Sequence, residues 1–99
     1  MKHALVFRDE ASLELEGAHN WYDERQAGLG DDFMDEVESL LDVVANTPER
    51  FPIVLGVIRR ALVHRFPYAI YFRIVDDTQI RVLAIFHARR DPAIWRGRT

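Results

Sequence analysis

Apolar positions along the chain change their period twice, and each change marks a new kind of element. Residues 3–7 (HALVF) form a short apolar run that predicts an opening strand. Behind it Ala11, Leu15, Ala18 and Tyr22 fall on one helical stripe, widened by Trp21. Asp9 or Ser12 is the expected cap of that helix. Gly17 weakens it by about 1 kcal/mol relative to Ala, so either another element approaches closely there or the glycine is simply tolerated. Ala27-Gly28-Leu29-Gly30 breaks the period, and Asp31 or Asp32 is expected to cap a second helix. Phe33, Val37, Leu40, Leu41 and Val44 then keep helical spacing, with Asp35, Glu36, Glu38 and Asp42 on the solvated side. Asn46-Thr47-Pro48 ends this helix, because Pro48 disfavours helical geometry at the residue before it. Two amphipathic helices joined by a tight Gly-Leu-Gly link predict a helical hairpin.

The remainder reads as antiparallel β, rich in Val, Ile, Tyr and Phe. Strands are expected over 57–65, 68–75 and 79–87. Pro67 lies between the first two, since it cannot donate to a ladder, and Asp76-Asp77-Thr78 turns into the third. The expected fold class is therefore α+β: an N-terminal strand, a helical hairpin, then a three-stranded antiparallel meander, with the helices packed on one face of the sheet. A chain of 99 residues is expected to be a single domain, 1–99, with a thin but feasible core.

Composition narrows the class. Apolar residues at 48% and charged residues at 29% are ordinary for a soluble globule. No apolar run approaches the roughly 18 residues of a membrane span, and no signal peptide is evident, so no membrane partner and a cytoplasmic location are expected. Without cysteine there is neither a disulfide framework nor a thiolate metal site. The net charge of -3 conceals a division. Residues 1–50 carry 4 Lys/Arg against 13 Asp/Glu, a balance of -9; residues 51–99 carry 9 arginines against 3 Asp, a balance of +6. Either the acidic helices and the basic sheet neutralise each other, or the second half attracts anions locally.

Candidate chemistry concentrates in Arg59 to Phe72, RRALVHRFPYAIYF. Arginines alternate there with apolar residues, which makes a half-buried strand with one apolar and one cationic face. A guanidinium fork suits carboxylate or phosphate, so this face points to an anionic partner. His3, His19, His64 and His87 lack metal-ligand spacing, and no metal or cofactor is expected. Asp76-Asp77 reads as a turn, and Gly28-Leu29-Gly30 as a helix link, because it lacks the strand-then-helix setting of a phosphate loop. Trp21 and Tyr22 are expected between helix and sheet, with exposure of Trp21 to a partner as the other reading. Trp95, in a polar tail, is expected to contact a partner.

Several segments together carry a family resemblance. These are Trp21-Tyr22-Asp23-Glu24, Gly28-Leu29-Gly30, Phe33 with Asp35-Glu36-Val37, Arg59-Arg60-Ala61-Leu62, Arg65-Phe66-Pro67-Tyr68 and His87-Ala88-Arg89-Arg90-Asp91-Pro92. In this order the chain resembles the RelE/ParE toxins of bacterial type II toxin–antitoxin systems, and more closely the ParE-like branch. RelE-like members are ribosome-dependent mRNA endonucleases. ParE-like members poison DNA gyrase, a role linked to plasmid stabilisation, and have no catalytic centre of their own. The resemblance implies a cognate antitoxin as partner, a heterotetramer with it, and operator DNA met only through the antitoxin.

Cleavage of RNA through the 2'-oxygen needs a base, cations for the charged phosphorane and an acid for the leaving group. In the resemblance, Arg60 and Arg89 occupy two of the family's basic positions. A third is Leu62, the arginine that follows the strand's tyrosine is Ala69, and the C-terminal tyrosine is Trp95. An indole cannot serve as base or acid. The departures favour a binding-type inhibitor without catalytic residues. On the nuclease alternative, His64 and His87 would form the acid–base pair beside Arg60 and Arg89. The expected target- or antitoxin-binding residues are Arg59, Arg60, Arg65, Arg73, Arg81, Arg89, Arg90 and Trp95.

Overall fold

A computed structural model describes residues 2–90, 97 and 98. Strand β1 (Ala4–Phe7) leads into helix α1 (Asp9–Arg25), and helix α2 (Leu29–Asn46) follows. A single 3-10 turn (Pro48–Arg50) precedes β2 (Ile53–Leu55), β3 (Ile58–Leu62), β4 (Tyr68–Ile74) and β5 (Gln79–His87). The sheet order is β1-β5-β4-β3-β2, with β1 parallel to β5 and every other pairing antiparallel. The fold is the expected α+β arrangement, with the helices on one face of the sheet. It differs in one short strand: β2 adds a hairpin ahead of the meander. Gly56 makes that turn at φ 57, a left-handed conformation that glycine adopts without strain. The strand expected over 57–65 consequently shortens to β3, and 63–65 enter the next turn.

Neither helix is capped as the sequence suggested. At α1 the N-cap is Arg8, whose amide donates to Val82 O at 2.9 Å as the last rung between β1 and β5. The helix thus begins directly off the strand, leaving no position for a separate Asp9 or Ser12 cap. Asp9 and Glu10 lie instead in the first turn, where the helix dipole favours negative charge. At α2 the N-cap is Gly28, at φ 89. The free amides are taken by Asp23 of the preceding helix, whose Oδ1 accepts from Gly28 N and Gly30 N at 3.1 Å each. Asp31 and Asp32 occupy the first turn. A Cβ on Gly30 would lie 2.5 Å from His19 O, so this glycine sets how closely α1 and α2 approach. Nothing comes within 4 Å of a Cβ placed on Gly17.

The main core lies between helices and sheet. Phe33, Val37 and Val44 of α2 and Ala11, Ala18 and Tyr22 of α1 pack with Ile70, Phe72, Ile80, Val82 and Ile85. Register sets the opposite face. Tyr71 pairs with Ala84 but Phe72 with Val82, which leaves Leu83 as a bulge that shifts the phase of β5. Beyond the bulge Ala69, Tyr71, Leu83, Ala84 and Phe86 form a second, smaller buried cluster on the face turned away from the helices. Among the described residues no helix is long and apolar enough to cross a membrane.

Candidate functional site

Strand parity sorts the arginines. Arg59 stands opposite Phe72 and belongs to the helix-side face; Arg60 stands opposite Tyr71 and belongs to the other. Arg59 is consumed structurally: its Nη1 donates to Phe51 O at 2.7 Å and Glu49 O at 3.3 Å, tying β3 to the segment before β2. On the far face Arg73 lies directly opposite Arg81 in the β4–β5 register, with Arg60 beside them across Tyr71. Neither Arg60 nor Arg73 has an acidic partner among the described residues. The Nε of Arg73 is buried and makes no hydrogen bond, a state that is costly for a cation. Leu62, 59% exposed, lies on the same face as Arg60, opposite the buried Ala69.

The other arginines are dispersed around this group. Arg65 sits in the β3–β4 turn at φ 72 and 3.8 Å from Asp32, on the α2 side of the molecule. Arg89 is exposed just beyond β5, its amide donating to His87 Nδ1 at 3.2 Å. Arg90 extends over the far face, its guanidinium 5.2 Å from the centroid of the Phe86 ring. Trp95 falls outside the described residues. Arg98 is held inside: Nη1 lies 2.9 Å from Glu14 Oε2 and donates to Leu83 O at 3.1 Å. Glu14 in turn accepts from Ile85 N at 3.1 Å. Together the pair satisfies the stretch of β5 that runs on past its pairing with β1.

The histidines do not form a pair. His64, in the β3–β4 turn, reaches Glu36 of α2 at 2.9 Å and is otherwise exposed. His87 packs its ring 5.8 Å from that of Tyr68, with β4 separating the two histidine-bearing segments. Tyr68, whose ring packs against His87, is pushed above its ordinary pKa by burial. Among the described residues no group of three His, Asp or Glu comes together in a way that could hold a metal.

Tyr22 packs into the core as expected, while Trp21 follows the other reading: it is 47% exposed, with Arg25 stacked 3.3 Å from its centroid. One feature escaped the sequence reading: the uncharged β2 segment exposes Ile53, Val54, Leu55 and Val57 along an edge of the sheet. An uncharged apolar edge is an available template for pairing with another chain. Its sequence signal was Gly56 inside a long apolar run.

Comparison with known proteins gives a consistent assignment. The family model for the ParE toxin of type II toxin–antitoxin system, parDE, matches residues 5–92. Among solved structures, a chain of the chromosomal ParDE TA system from P. aeruginosa superposes with a TM-score of 0.75 at 14% identity, over 87% of this chain and 96% of that one. At that identity the likeness speaks for the fold. None of the curated proteins matches the sequence.

Proposed function

The chain belongs to the ParE toxin family of type II toxin–antitoxin systems, and from that premise we propose that it arrests growth by binding DNA gyrase on DNA and is neutralised by a cognate antitoxin. The observation that carries this reading is that Arg60 and Arg73 share one sheet face, neither with an acidic partner among the described residues and Arg73 with a buried Nε that makes no hydrogen bond. A carboxylate or phosphate reaching these guanidinium forks adds charge-assisted hydrogen bonds worth about 1.5–3 kcal/mol each. The antitoxin segment that fits is acidic, with an aliphatic side chain placed against Leu62. It covers the arginines that the target would use, so neutralisation is competitive. On the family pattern the complex is a heterotetramer of two toxins and two antitoxins, and operator DNA is met through the antitoxin.

Catalysis is not required on this reading. His64 and His87 have different partners. Purified protein is expected to inhibit gyrase supercoiling or to trap cleaved DNA, and Arg60→Glu/Arg73→Glu is expected to abolish the effect. Unimpaired gyrase together with fragmented mRNA on induction, lost in His87→Ala, would replace this reading with a ribosome-dependent nuclease.

A further inference from the structure

The helical hairpin carries a second surface of opposite sign. Between α1, α2 and the end of β1 runs a trough of ≈ 870 Å³ whose floor is Phe7, Leu15 and Met34. Each of the three is only partly buried against the main core, so each keeps apolar area in water. Glu16, Asp35 and Glu38 form the rim, all exposed and all without an ion pair among the described residues. The lining contains no Lys or Arg, and His19 is engaged with Asp31 at 3.1 Å.

We propose that this trough docks a cationic amphipathic segment of a protein partner, with aliphatic side chains on the Phe7–Leu15–Met34 floor and Lys or Arg against the three rim carboxylates. Charge selects the occupant. An acidic segment, such as the one assigned to the arginine face, is repelled here, and so is the acidic hairpin of a second copy. Lys and Arg suit the rim because their aliphatic stems cover apolar surface while their charged ends reach outward. The trough lies on the opposite side of the sheet from Arg60, Arg73 and Arg81, so the inference holds whether or not gyrase is the target.

The test uses labelled peptides of Leu and Lys at helical spacing, with a Leu/Glu peptide of the same apolar pattern as comparator. The Leu/Lys peptide is expected to give saturable, single-site fluorescence anisotropy with the intact chain, and the Leu/Glu peptide none. Glu16→Lys/Asp35→Lys/Glu38→Lys should weaken binding about tenfold or more. The matched reversal Glu24→Lys/Glu49→Lys/Asp77→Lys, at exposed acids outside the trough, should change it less than about threefold. Thermal melts by circular dichroism establish that each variant is folded. Chemical-shift mapping on the unmodified chain gives a second reading, with perturbations expected around Leu15 and Met34. Equal binding of both peptides, equal losses in the two triple variants, or shifts centred on the far sheet face would overturn the proposal. So would self-association of the free chain that the trough reversal abolishes, which would make a second copy the occupant.

Discussion

The two faces of the sheet hold arginines in opposite conditions, and adjacent residues show it. On the helix side Arg59 donates to two backbone carbonyls and helps to hold the chain before β2 in place. One residue on, Arg60 emerges on the face where Arg73 and Arg81 oppose each other. Period-2 geometry sends neighbours to opposite faces, so a single step in register separates a structural cation from one available for binding. Charge count alone treats all of these residues alike.

The difference can be tested by substitution, beginning with the largest effect. Phe72→Ala removes a fully buried ring from the helix-side core and is expected to cost about 3–5 kcal/mol, read as a lowered denaturant midpoint. A loss below about 1 kcal/mol would show that this face is not the main source of stability. Gly30→Ala comes next, because its Cβ meets His19 O at 2.5 Å. Forcing the helical layer apart should cost about 1–3 kcal/mol. Gly17→Ala, in open space, should instead gain up to about 1 kcal/mol.

The arginines sharpen the contrast further. Arg59→Leu abandons the Phe51 and Glu49 carbonyls and should lose about 1–2 kcal/mol. Arg73→Leu removes a buried guanidinium Nε that has no hydrogen-bond partner, and should gain up to about 1 kcal/mol. The same change should weaken antitoxin binding in calorimetry, whereas Arg59→Leu should leave it nearly unchanged in the folded fraction. Losses of equal size in both variants would erase the distinction between the faces.

The smallest effect concerns the hairpin. Hydrogen bonds to Asp31 and then Asn20 raise the pKa of His19 above its ordinary 6.5. A raised folded-state value means that the contribution is fully present below 6.5 and fades as pH rises through the folded-state pKa. The stability difference between the parent chain and His19→Ala should therefore shrink from pH 5 to pH 8, while NMR titration places His19 above its unfolded value. A difference that stays flat over this range would remove the Asp31 contact as its cause.

Much of this was legible in the sequence where the period was strong and the terminators clear. The end of α2 before Pro48, the extents of β4 and β5, and the stripe of Phe33, Val37 and Val44 all follow from spacing. The missed features depend on partners far along the chain. Asp23 caps α2 from the helix before it, a geometry that no local cap pattern specifies. Strand β2 vanished into a continuous apolar run that only Gly56 interrupts. The bulge at Leu83 shifts the phase of β5, so alternation alone misassigns one half of that strand. At the candidate site, Arg60, Arg73 and Arg81 come together only through the β3–β4–β5 register. Glu14 and Arg98 meet across 84 positions.

The parallel pairing of β1 with β5 has an implication for how the molecule is made. Ala4 to Phe7 find their hydrogen-bonding neighbours only at Gln79 to Val82, with the hairpin and three strands synthesised in between. A ribosome that has released α1 and α2 has therefore released a hairpin whose sheet-facing residues, Phe33 and Val37 among them, still await a surface. Long-range closure of this kind is slow and leaves apolar area exposed in the meantime. Until β5 emerges β1 has no partner strand, and the apolar area left open in the meantime is the kind of surface that chaperones and proteases engage.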